Sequence, residues 1–359
     1  MHKKLRHAII GVGGISPKHF DGYAKIGDRV ETVAICDIDE KRLTYASKTY
    51  SIPDVTYDYK TIFARQDIDF VSICLPNYLH APVTIEALAS GKHVHCEKPM
   101  AMNAREAYDM LDASHKNQRL LMIALNNRFT PYAQYIKGLS MDGWFGDIYF
   151  AKCGWLRRGG LPYKGWYGEK RYSGGGALID LGVHFIDLTM YIMDYPKVDT
   201  VTAKTYHKFG GSEISPIYAF QQMPIEPGLP FEVDDLASGF ICLKNDASIQ
   251  FEISWASNIE KEYYFYDIYG TKGGASFRLN VGQDAQPTLK LFTAQKGQLV
   301  NIEPLINANA YPVSEFSHFV DSIIENKQPN MALPVQGVSM MEIIDAIYAS
   351  GQSNRQIVF

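Results

Sequence analysis

The feature that most constrains this chain is the regular alternation of short apolar runs with helical patterns in its first third. The apolar runs are rich in Val, Ile, Leu and Cys: "LRHAIIGVG", "VETVAICDID", "DFVSICLP", "KHVHCEKP" and "LLMIALN". Helical patterns follow from about Ser16, from Glu40, from about His80 and over "NAREAYDMLDASHKN". Near-continuous apolar strands alternating with helices are typical of a parallel sheet with both faces covered. The pattern predicts a doubly wound parallel sheet of about half a dozen strands.

The pattern changes after about residue 126, where aromatic and glycine-rich segments alternate polar with apolar residues. Examples are "GDIYFAKCGWLRR", "SIQFEISWAS" and "YYFYDIYGTKGGASFRL". This alternation predicts long antiparallel strands with one face turned to solvent or to a partner. One helix, "GALIDLGVHFIDLTMYIM", interrupts the strands, and helices return near the end with Gly351 as a predicted C-terminal cap. We predict a first domain over residues 1–125 and an α+β domain with an open, mostly antiparallel sheet over residues 126–359.

Aromatic residues of the second domain predict self-association. One face of its sheet is expected to carry Tyr263, Phe265, Tyr269 and Trp255. A large apolar sheet face must be buried against something. We therefore predict a dimer or tetramer formed through the open sheet.

Length and charge exclude several classes of protein. The 359 residues favour two domains, and the formal net charge of -4 gives no general attraction to nucleic acid or to a membrane. The N-terminal run reaches its glycines too soon for a signal peptide, and no segment approaches about 18 uninterrupted apolar residues. A cytoplasmic location is expected. The cysteines are scattered without metal-like pairing and are predicted to be buried reduced thiols: Cys36, Cys74, Cys96, Cys153 and Cys242.

A glycine-rich turn predicts a phosphate-binding site. "AIIGVGGISPKHF" places Gly11, Gly13 and Gly14 directly after the first strand, at the start of the first helix. Such glycines permit a tight turn and let the backbone approach a pyrophosphate, whose charge the helix N-terminus favours. Ser16 replaces the third glycine of the G-x-G-x-x-G pattern, which affects helix packing more than phosphate binding. A turn without any ligand is the alternative.

Asp37 follows about 20 residues later, at the end of the second strand. A carboxylate there can accept hydrogen bonds from an adenosine ribose and would repel a 2′-phosphate, which favours NAD over NADP. Lys41 and Arg42 lie close in sequence and leave NADP open.

"HVHCEKPMA" places Lys98 at the carboxyl end of the fifth strand, the same sheet edge as the glycine turn. Pro99 cannot continue the strand and can fix a sharp or cis bend that aims the lysine. A partly desolvated lysine suits proton transfer or the polarising of an oxygen. A surface lysine on a turn is the alternative. Asn77 and His80 of "LPNYLH" lie at the same edge, where His80 could equally be a helix-start residue.

Asp180 and His184 stand four residues apart on a predicted helix and should share one face. Histidine titrates near neutral pH, so it can take the proton of an alcohol being oxidised, while the acid orients it or binds a substrate hydroxyl. Metal binding and a structural histidine are the alternatives. The preceding segment carries aromatic side chains that could pack on a sugar ring and arginines that could bind an anionic substrate or end a solvated strand: Trp155, Arg157, Arg158, Tyr163, Trp166 and Tyr167.

In this order, "GVGGIS", "CDID", "LPNYLH", "EKP", "NNRF", "SGGGALIDLGVHFIDL" and "IYGTKGG" resemble the Gfo/Idh/MocA oxidoreductases over nearly the whole chain. The resemblance implies a Rossmann domain and an open-sheet domain that bind NAD(P) between them and transfer a hydride at a sugar or cyclitol carbon. It leaves open whether the C-terminal helices pack back on the first domain.

The resemblance also implies residue roles. Lys98, Asp180 and His184 are similar to the family's catalytic residues. The candidate cofactor-binding residues are Gly11, Gly13, Gly14, Ile15, Asp37, Leu75, Pro76, Asn77, His80, Glu97 and Lys98. The candidate substrate-binding residues are Lys98, Asn127, Arg128, Arg157, Trp166, Asp180 and His184. A sugar, sugar acid or cyclitol dehydrogenase is expected; NAD-dependent glycoside cleavage and a catalytically silent NAD- or sugar-binding regulator remain alternatives.

Overall fold

The computed structural model describes residues 4–162, 165–212, 215–219, 230–281 and 286–359. It contains two compact units, Met1–Leu125 with Val313–Met341, and Asn126–Pro312 with Glu342–Phe359. The two units are described separately below.

The first unit is built on a parallel sheet of six strands. The strands are β1 (Leu5–Ile10), β2 (Val30–Cys36), β3 (Asp54–Thr56), β4 (Phe70–Ile73), β5 (His93–Cys96) and β6 (Leu121–Ile123). The helices between them are α1 (Ser16–Ala24), α2 (Glu40–Tyr50), α3 (Tyr59–Phe63), α4 (Asn77–Ala89) and α5 (Ala104–Asn117). The strand order is β3-β2-β1-β4-β5-β6, with every pair parallel. The predicted doubly wound parallel sheet is confirmed.

The strand order reverses between β1 and β4, so the carboxyl ends of these two strands flank the crevice where such sheets bind ligands. Helix α4 begins at Asn77 rather than near His80, because Pro76 takes the N-cap position with an extended ψ of 150°. On one face of the sheet, Ile9 and Ile35 are fully buried beneath Phe20, whose ring stacks on Tyr50 at 3.9 Å.

The second unit contains a nine-stranded open sheet. Its first part comprises α6 (Pro131–Met141), β7 (Ile148–Leu156), α7 (Lys170–Ser173), a π-helical turn (Leu178–Gly182) and α8 (Val183–Ile192). The remaining strands are β8 (Val198–Tyr206), β9 (Leu236–Leu243), β10 (Ser248–Ser254), β11 (Tyr263–Gly270), β12 (Gly273–Asn280), β13 (Thr288–Gln295), β14 (Gln298–Ile302) and β15 (Ile357–Val358). The order is β14-β13-β12-β11-β7-β10-β9-β8-β15, and among these pairs β7 with β10 is parallel. The predicted mostly antiparallel sheet is confirmed.

Helix α8 is the buried core helix of the second unit. The helical stretch Lys170–Ile192 is long and apolar enough to span a membrane by composition, but 89% of its most apolar 18-residue window is buried within the protein. The Phe185 ring of α8 packs edge-on against Trp155 of β7, with ring centroids 5.8 Å apart. It also packs at a tilt against Tyr264 of β11, with ring centroids 5.0 Å apart. One face of the sheet is therefore covered by this helix.

The opposite face mixes aromatic with polar side chains. Phe150, Tyr269 and Phe292 lie along one cross-strand row, and Tyr269 is 36% exposed and Phe292 39% exposed. Trp255, which was expected on this face, follows β10 and is 1% exposed. Its indole donates a hydrogen bond to Asp180, so the ring lies on the side of the sheet that carries Asp180 rather than on the open face.

The C-terminal segment adds α9 (Glu315–Glu325) and α10 (Pro334–Ser353). Gly351, predicted as a C-terminal cap, lies inside α10, and the left-handed residue is Asn354 with φ 55°. A Cβ on Gly351 would lie 3.0 Å from Thr205 Oγ1, so the small residue serves close packing. Asparagine tolerates the left-handed conformation that ends helices.

Candidate active site

The glycine turn after β1 is shaped by a close backbone approach. Gly11 has φ +92°, and its amide donates to the Cys36 carbonyl oxygen at 2.7 Å. A Cβ on Gly11 would lie 2.5 Å from the Cys74 carbonyl oxygen. Because a side chain would clash with the end of β4, only glycine fits at this position.

The turn presents backbone amides to the crevice. Within the described part of the chain, no acceptor is recorded for the amide groups of Gly13, Gly14 and Ile15. Helix α1 starts without a side-chain cap or an acidic residue in its first turn, and a Cβ on Gly14 would meet nothing within 4 Å. Ser16 stabilises the turn, since its hydroxyl donates to the Gly13 carbonyl oxygen at 2.8 Å. These amides and the helix N-terminus suit a pyrophosphate.

Asp37 holds the same turn from the end of β2. Its Oδ2 accepts from the Val12 amide at 2.8 Å and its Oδ1 from the Asp39 amide at 2.9 Å. The carboxylate remains partly exposed, as ribose binding requires. Arg42 also lies here, with Nη1 4.0 Å from the position of a Cβ on Gly13. The residues present therefore fit a dinucleotide, and Arg42 keeps both NAD and NADP compatible with the site.

His80 links the loop after β4 to the loop after β5. It is 1% exposed, with Nδ1 2.7 Å from the Pro99 carbonyl oxygen and Nε2 2.8 Å from the Leu75 carbonyl oxygen. Burial lowers the pKa of His80, and the two carbonyl oxygens oppose this effect. Both ring nitrogens therefore face protein carbonyl oxygens, and a contact between His80 and a cofactor stays a prediction. Leu75, Pro76 and Asn77 remain candidates at the start of α4.

Lys98 follows β5 and is partly exposed. Its two neighbours, Glu97 and Pro99, each contact a buried histidine. The Lys98–Pro99 bond is cis. Glu97 is 6% exposed, and its Oε1 lies 2.9 Å from His19 Nε2. The Glu97 side chain thus contacts His19 in the interior of the first unit, and its predicted contact with a cofactor stays a prediction. The role of Lys98 stays a prediction.

Asp180 and His184 stand out on an otherwise buried helical segment. From Ala177 to Met193 every residue except these two is buried. Asp180 lies in the π-helical turn, so its spacing to His184 is not that of a regular α-helix. Trp255 Nε1 donates to Asp180 Oδ2 at 2.9 Å, and the Trp155 ring lies 6.0 Å from the His184 ring. The structure therefore exposes the predicted acid and histidine from one short stretch.

Asp234 positions the start of that segment and was missed by the sequence analysis. Its Oδ1 accepts from the Gly176 amide at 2.8 Å and its Oδ2 from the Leu178 amide at 2.9 Å. Tyr348 also donates to Asp234, at 2.8 Å. A Cβ on Gly176 would lie 1.9 Å from the Asp234 carbonyl oxygen, which explains the glycine run before the helix. The signal in the sequence was "VDD", an acidic pair next to apolar strand residues.

Arg157 is held by protein groups beside Trp155. Its Nε lies 3.3 Å from Glu262 Oε1, and its guanidinium carbon lies 4.7 Å from the Trp155 ring centroid. Trp155 Nε1 donates to the same Glu262 carboxylate at 2.8 Å. This pairing partly neutralises Arg157, which weakens the case for an anionic substrate. Trp166 is partly exposed and stacks on Tyr167 at 4.1 Å.

Arg128 lies in the core of the second unit. Its side chain is fully buried, and it pairs with Asp187 through Nε at 2.8 Å and Nη2 at 2.5 Å. The guanidinium also lies over the rings of Tyr191 and Tyr195. These contacts indicate a structural role, and the predicted substrate contact of Arg128 stays a prediction. Asn127 is partly exposed and stays a candidate, and Tyr163 lies outside the described residues.

The cysteines and potential metal ligands complete the survey of reactive groups. All five cysteines are free thiols; four are buried and Cys242 is partly buried. Across the described residues, no group of three or more His, Cys, Asp or Glu is arranged to hold a metal ion.

The parallel sheet, the glycine turn after β1 and the partly exposed Asp37 carboxylate define a dinucleotide-binding fold. NAD-dependent oxidoreductases are one class of protein with such a fold. Residues 5–125 match the family model described as the oxidoreductase family, NAD-binding Rossmann fold. Residues 141–359 match the model of the same family's C-terminal alpha/beta domain. The chain belongs to the Gfo/Idh/MocA oxidoreductase family, and its first unit is the NAD-binding Rossmann domain, which confirms the expected family and cofactor.

Two similar proteins are named as dehydrogenases of sugars. The chain is 28% identical over 356 residues to the D-glucoside 3-dehydrogenase of Escherichia coli (strain K12), covering 98% of this chain and 97% of the relative. It is 25% identical over 290 residues to the levoglucosan dehydrogenase of Pseudarthrobacter phenanthrenivorans, covering 78% of this chain and 73% of the relative. The fold is similar to that of levoglucosan dehydrogenase in complex with NADH and levoglucosan, with TM-score 0.84, 23% identity and 99% coverage of both chains.

Proposed function

We propose that this protein is a dehydrogenase that transfers a hydride between the nicotinamide of NAD(P) and a hydroxyl-bearing carbon of a sugar, sugar acid or cyclitol. The observation that carries the proposal is the exposure of Asp180 and His184 from a helical segment whose other residues are all buried. Membership in an NAD-binding oxidoreductase family supports it. Relatives named as glucoside and levoglucosan dehydrogenases support a sugar as the substrate.

The cofactor supplies the hydride acceptor, and the amides of Gly13, Gly14 and Ile15 with the Asp37 carboxylate would hold it. His184 takes the proton of the substrate hydroxyl as the general base. Lys98 donates a hydrogen bond to a substrate oxygen and stabilises its developing negative charge. In oxidation each of these two residues contributes on the order of 10²- to 10⁴-fold.

Asp180 acts beside His184 by binding a substrate hydroxyl. Its carboxylate is held by the Trp255 indole at 2.9 Å, so it is oriented before substrate arrives. An ionised acceptor suits a hydroxyl donor, because charge-assisted hydrogen bonds are the stronger ones. This arrangement supports a polyhydroxylated substrate.

A neutral sugar is favoured over a sugar acid. Arg157, the arginine nearest Trp155, already pairs with Glu262 at 3.3 Å. Binding a substrate carboxylate would require that pair to open. The partly exposed rings of Trp155 and Trp166 offer apolar faces on which a sugar ring can pack.

Self-association through the open sheet is a further part of the proposal. The uncovered face carries Phe240, which is 47% exposed, with Tyr269 and Phe292. Exposed aromatic residues grouped on one sheet face favour a partner surface. A second copy of the chain is the proposed occupant, as a dimer or tetramer.

We also propose a cytoplasmic location. Its support is the set of five free cysteines, since thiols stay reduced in that compartment.

The test is an absorbance assay at 340 nm with NAD and, separately, NADP against glucosides, anhydrosugars, hexoses, inositols and uronic acids. Lys98→Met should lower the rate on the order of 10²-fold or more. Lys116→Met is the matched control, because Lys116 is an exposed lysine of the same unit and should retain full activity. Near-full activity of Lys98→Met would remove the assigned role, and silence on the whole panel with bound NAD would favour a sensor or a redox-assisted cleavage.

A further inference from the structure

A hydrogen-bonded chain of side chains crosses the interior of the first unit and ends beside Lys98. Thr32 Oγ1 lies 3.0 Å from His7 Nδ1, and His7 Nε2 lies 2.9 Å from Ser72 Oγ. Ser72 Oγ lies 3.0 Å from His19 Nδ1, and His19 Nε2 lies 2.9 Å from Glu97 Oε1. The chain connects β2, β1, β4, α1 and the end of β5 without a gap.

The chemistry of a carboxylate fixes the direction of the last hydrogen bond in this chain. An ionised Glu97 only accepts, so His19 must donate from Nε2. The Ser72 hydroxyl contacts both His19 Nδ1 and His7 Nε2, and Thr32 contacts the remaining nitrogen of His7, Nδ1. Ser72, His7 and Thr32 therefore hold the His19 ring in the orientation that presents Nε2 to Glu97.

The chain lies in the buried interior of the first unit. His7, His19 and Ser72 are fully buried. Burial lowers the pKa of His7 well below 6.5, and His19 lowers it further, which keeps His7 neutral. Burial alone would raise the pKa of Glu97, but the hydrogen bond and charge of His19, with Lys18 and Lys98, lower it to about 2. Glu97 is thus an ionised carboxylate in a buried position.

The other oxygen of Glu97 acts on the backbone of the adjacent lysine. Oε2 accepts from the Lys98 amide at 3.2 Å. On the far side of Lys98, the Pro99 carbonyl oxygen is bonded to His80 at 2.7 Å. Two buried histidines therefore fix the residues on both sides of Lys98.

We propose that His19, oriented by the Ser72–His7–Thr32 chain, is a positioning residue for Lys98: it holds the Glu97 carboxylate that anchors the Lys98 backbone. The effect on catalysis rests on the proposed function, whereas the effect on the Lys98 side chain does not. His19 itself lies beneath the sheet edge and need not touch a substrate. Its role is to keep the ammonium group aimed at one place.

Several titratable groups share the same interior and contribute to its pH response. Lys18 pairs with Glu315 of α9 at 2.7 Å, and Tyr23 donates to or accepts from His95 at 2.9 Å. The ionisable groups facing His19 and Glu97 are Lys18 and Tyr23 on α1, His7 on β1, Cys74 after β4, His95 and Cys96 on β5, Lys98 after it, and Glu315 on α9. None of them replaces the Nε2 donor that His19 supplies to Glu97 Oε1.

The test compares His19→Leu with His19→Gln. Leucine removes the donor to Glu97, so burial raises the pKa of Glu97. The hydrogen bond from the Lys98 amide to its carboxylate then weakens. Glutamine can place an amide N–H near the position of Nε2. We expect His19→Leu to lower kcat on the order of 10²-fold, as for a misplaced catalytic group, with little change in the sugar KM. The acid limb of its pH profile should move to higher pH, and His19→Gln should recover most of both effects.

A second readout does not need the dehydrogenase activity. Full-length protein is labelled with acetic anhydride, and the acetylation rates of Lys98 and Lys116 are compared by mass spectrometry in the same sample. His19→Leu should change the Lys98 to Lys116 ratio by at least threefold, while His19→Gln stays within about twofold of the wild type. NADH affinity, measured by fluorescence, should change less than about twofold in both variants.

Ser72→Ala keeps the proposal testable if His19→Leu does not fold. Alanine removes the hydrogen-bond partner of His19 Nδ1 while leaving the His19 to Glu97 contact possible, so the same changes should appear at smaller size. An unchanged labelling ratio and pH profile in His19→Leu, or in Ser72→Ala where the former does not fold, would overturn the positioning role. A wild type inactive on every sugar with a variant-dependent labelling ratio would reject the proposed function and retain this inference.

Discussion

Replacement of Arg128 by methionine should destabilise the second unit without weakening substrate binding. The guanidinium is fully buried and pairs with Asp187, whose side chain is 2% exposed. Methionine keeps an unbranched side chain in the space between Tyr191 and Tyr195. It leaves the Asp187 carboxylate buried without its cation.

The size of the effect follows from that uncompensated charge. Removing one partner of a buried ion pair costs about 3–5 kcal/mol, because the remaining charge keeps its desolvation penalty. For a unit of this size each kcal/mol lowers the melting temperature by roughly 2–4 °C, so a loss of about 10 °C is expected. A second substitution, Asp187→Asn, removes the buried charge and should restore at least half of the loss.

The assay is thermal unfolding followed by circular dichroism, with activity measured well below the transition. Two units need not unfold in one step, so the transition of the second unit is compared between variants rather than converted to a single free energy. Arg171→Met is the matched control, because that side chain is 70% exposed and its pair with Glu169 contributes little. A stable Arg128→Met enzyme with a KM raised on the order of tenfold would refute the structural role and restore Arg128 as a substrate contact.

Two further predictions address the second unit. Trp255→Phe removes the donor to Asp180 and should lower kcat/KM on the order of tenfold. Trp144→Phe changes a ring that packs against Gly273 and should leave kcat/KM unchanged; equal values for both variants in steady-state kinetics would contradict the orienting role. Sedimentation velocity at micromolar concentration should show a dimer or tetramer that Phe240→Asp weakens, and a monomer in the wild type would reject self-association through the open sheet.

Much of the first unit could be predicted because its signals are local. The successive apolar strands are recognised from neighbours close in sequence, and Gly11, Gly13 and Gly14 directly follow the first of them. The structure contains the predicted parallel sheet. Errors came where short-range signals compete. Pro76 takes the N-cap of α4, so the helix starts before His80, and Gly351 serves packing against Thr205 rather than a helix end.

Side-chain orientation was the part that the sequence could not supply. Trp255 was grouped with aromatic residues of β11, but it continues the alternation of Ile249, Phe251 and Ile253, the fully buried positions of β10. Arg128 was placed in a pocket by family resemblance, yet its partner Asp187 lies 59 residues away. Neither the Trp255–Asp180 contact nor the Arg128–Asp187 pair can be predicted from local sequence, because each depends on how the helical segment and the strands pack.

The orientation of the Glu97 side chain, in the "EKP" motif with Lys98, could not be predicted from the sequence either. In sequence Glu97 is a neighbour of Lys98, and nothing nearby indicates which way its carboxylate faces. Its partner His19 is 78 residues away in sequence, and His19 is in turn oriented by Ser72, which is 53 residues from His19. An acid this deeply buried stays ionised only because donors from other elements converge on it. Under the proposed function, the short motif acts in catalysis only within the folded sheet, where the buried Glu97 carboxylate accepts a hydrogen bond from the Lys98 amide.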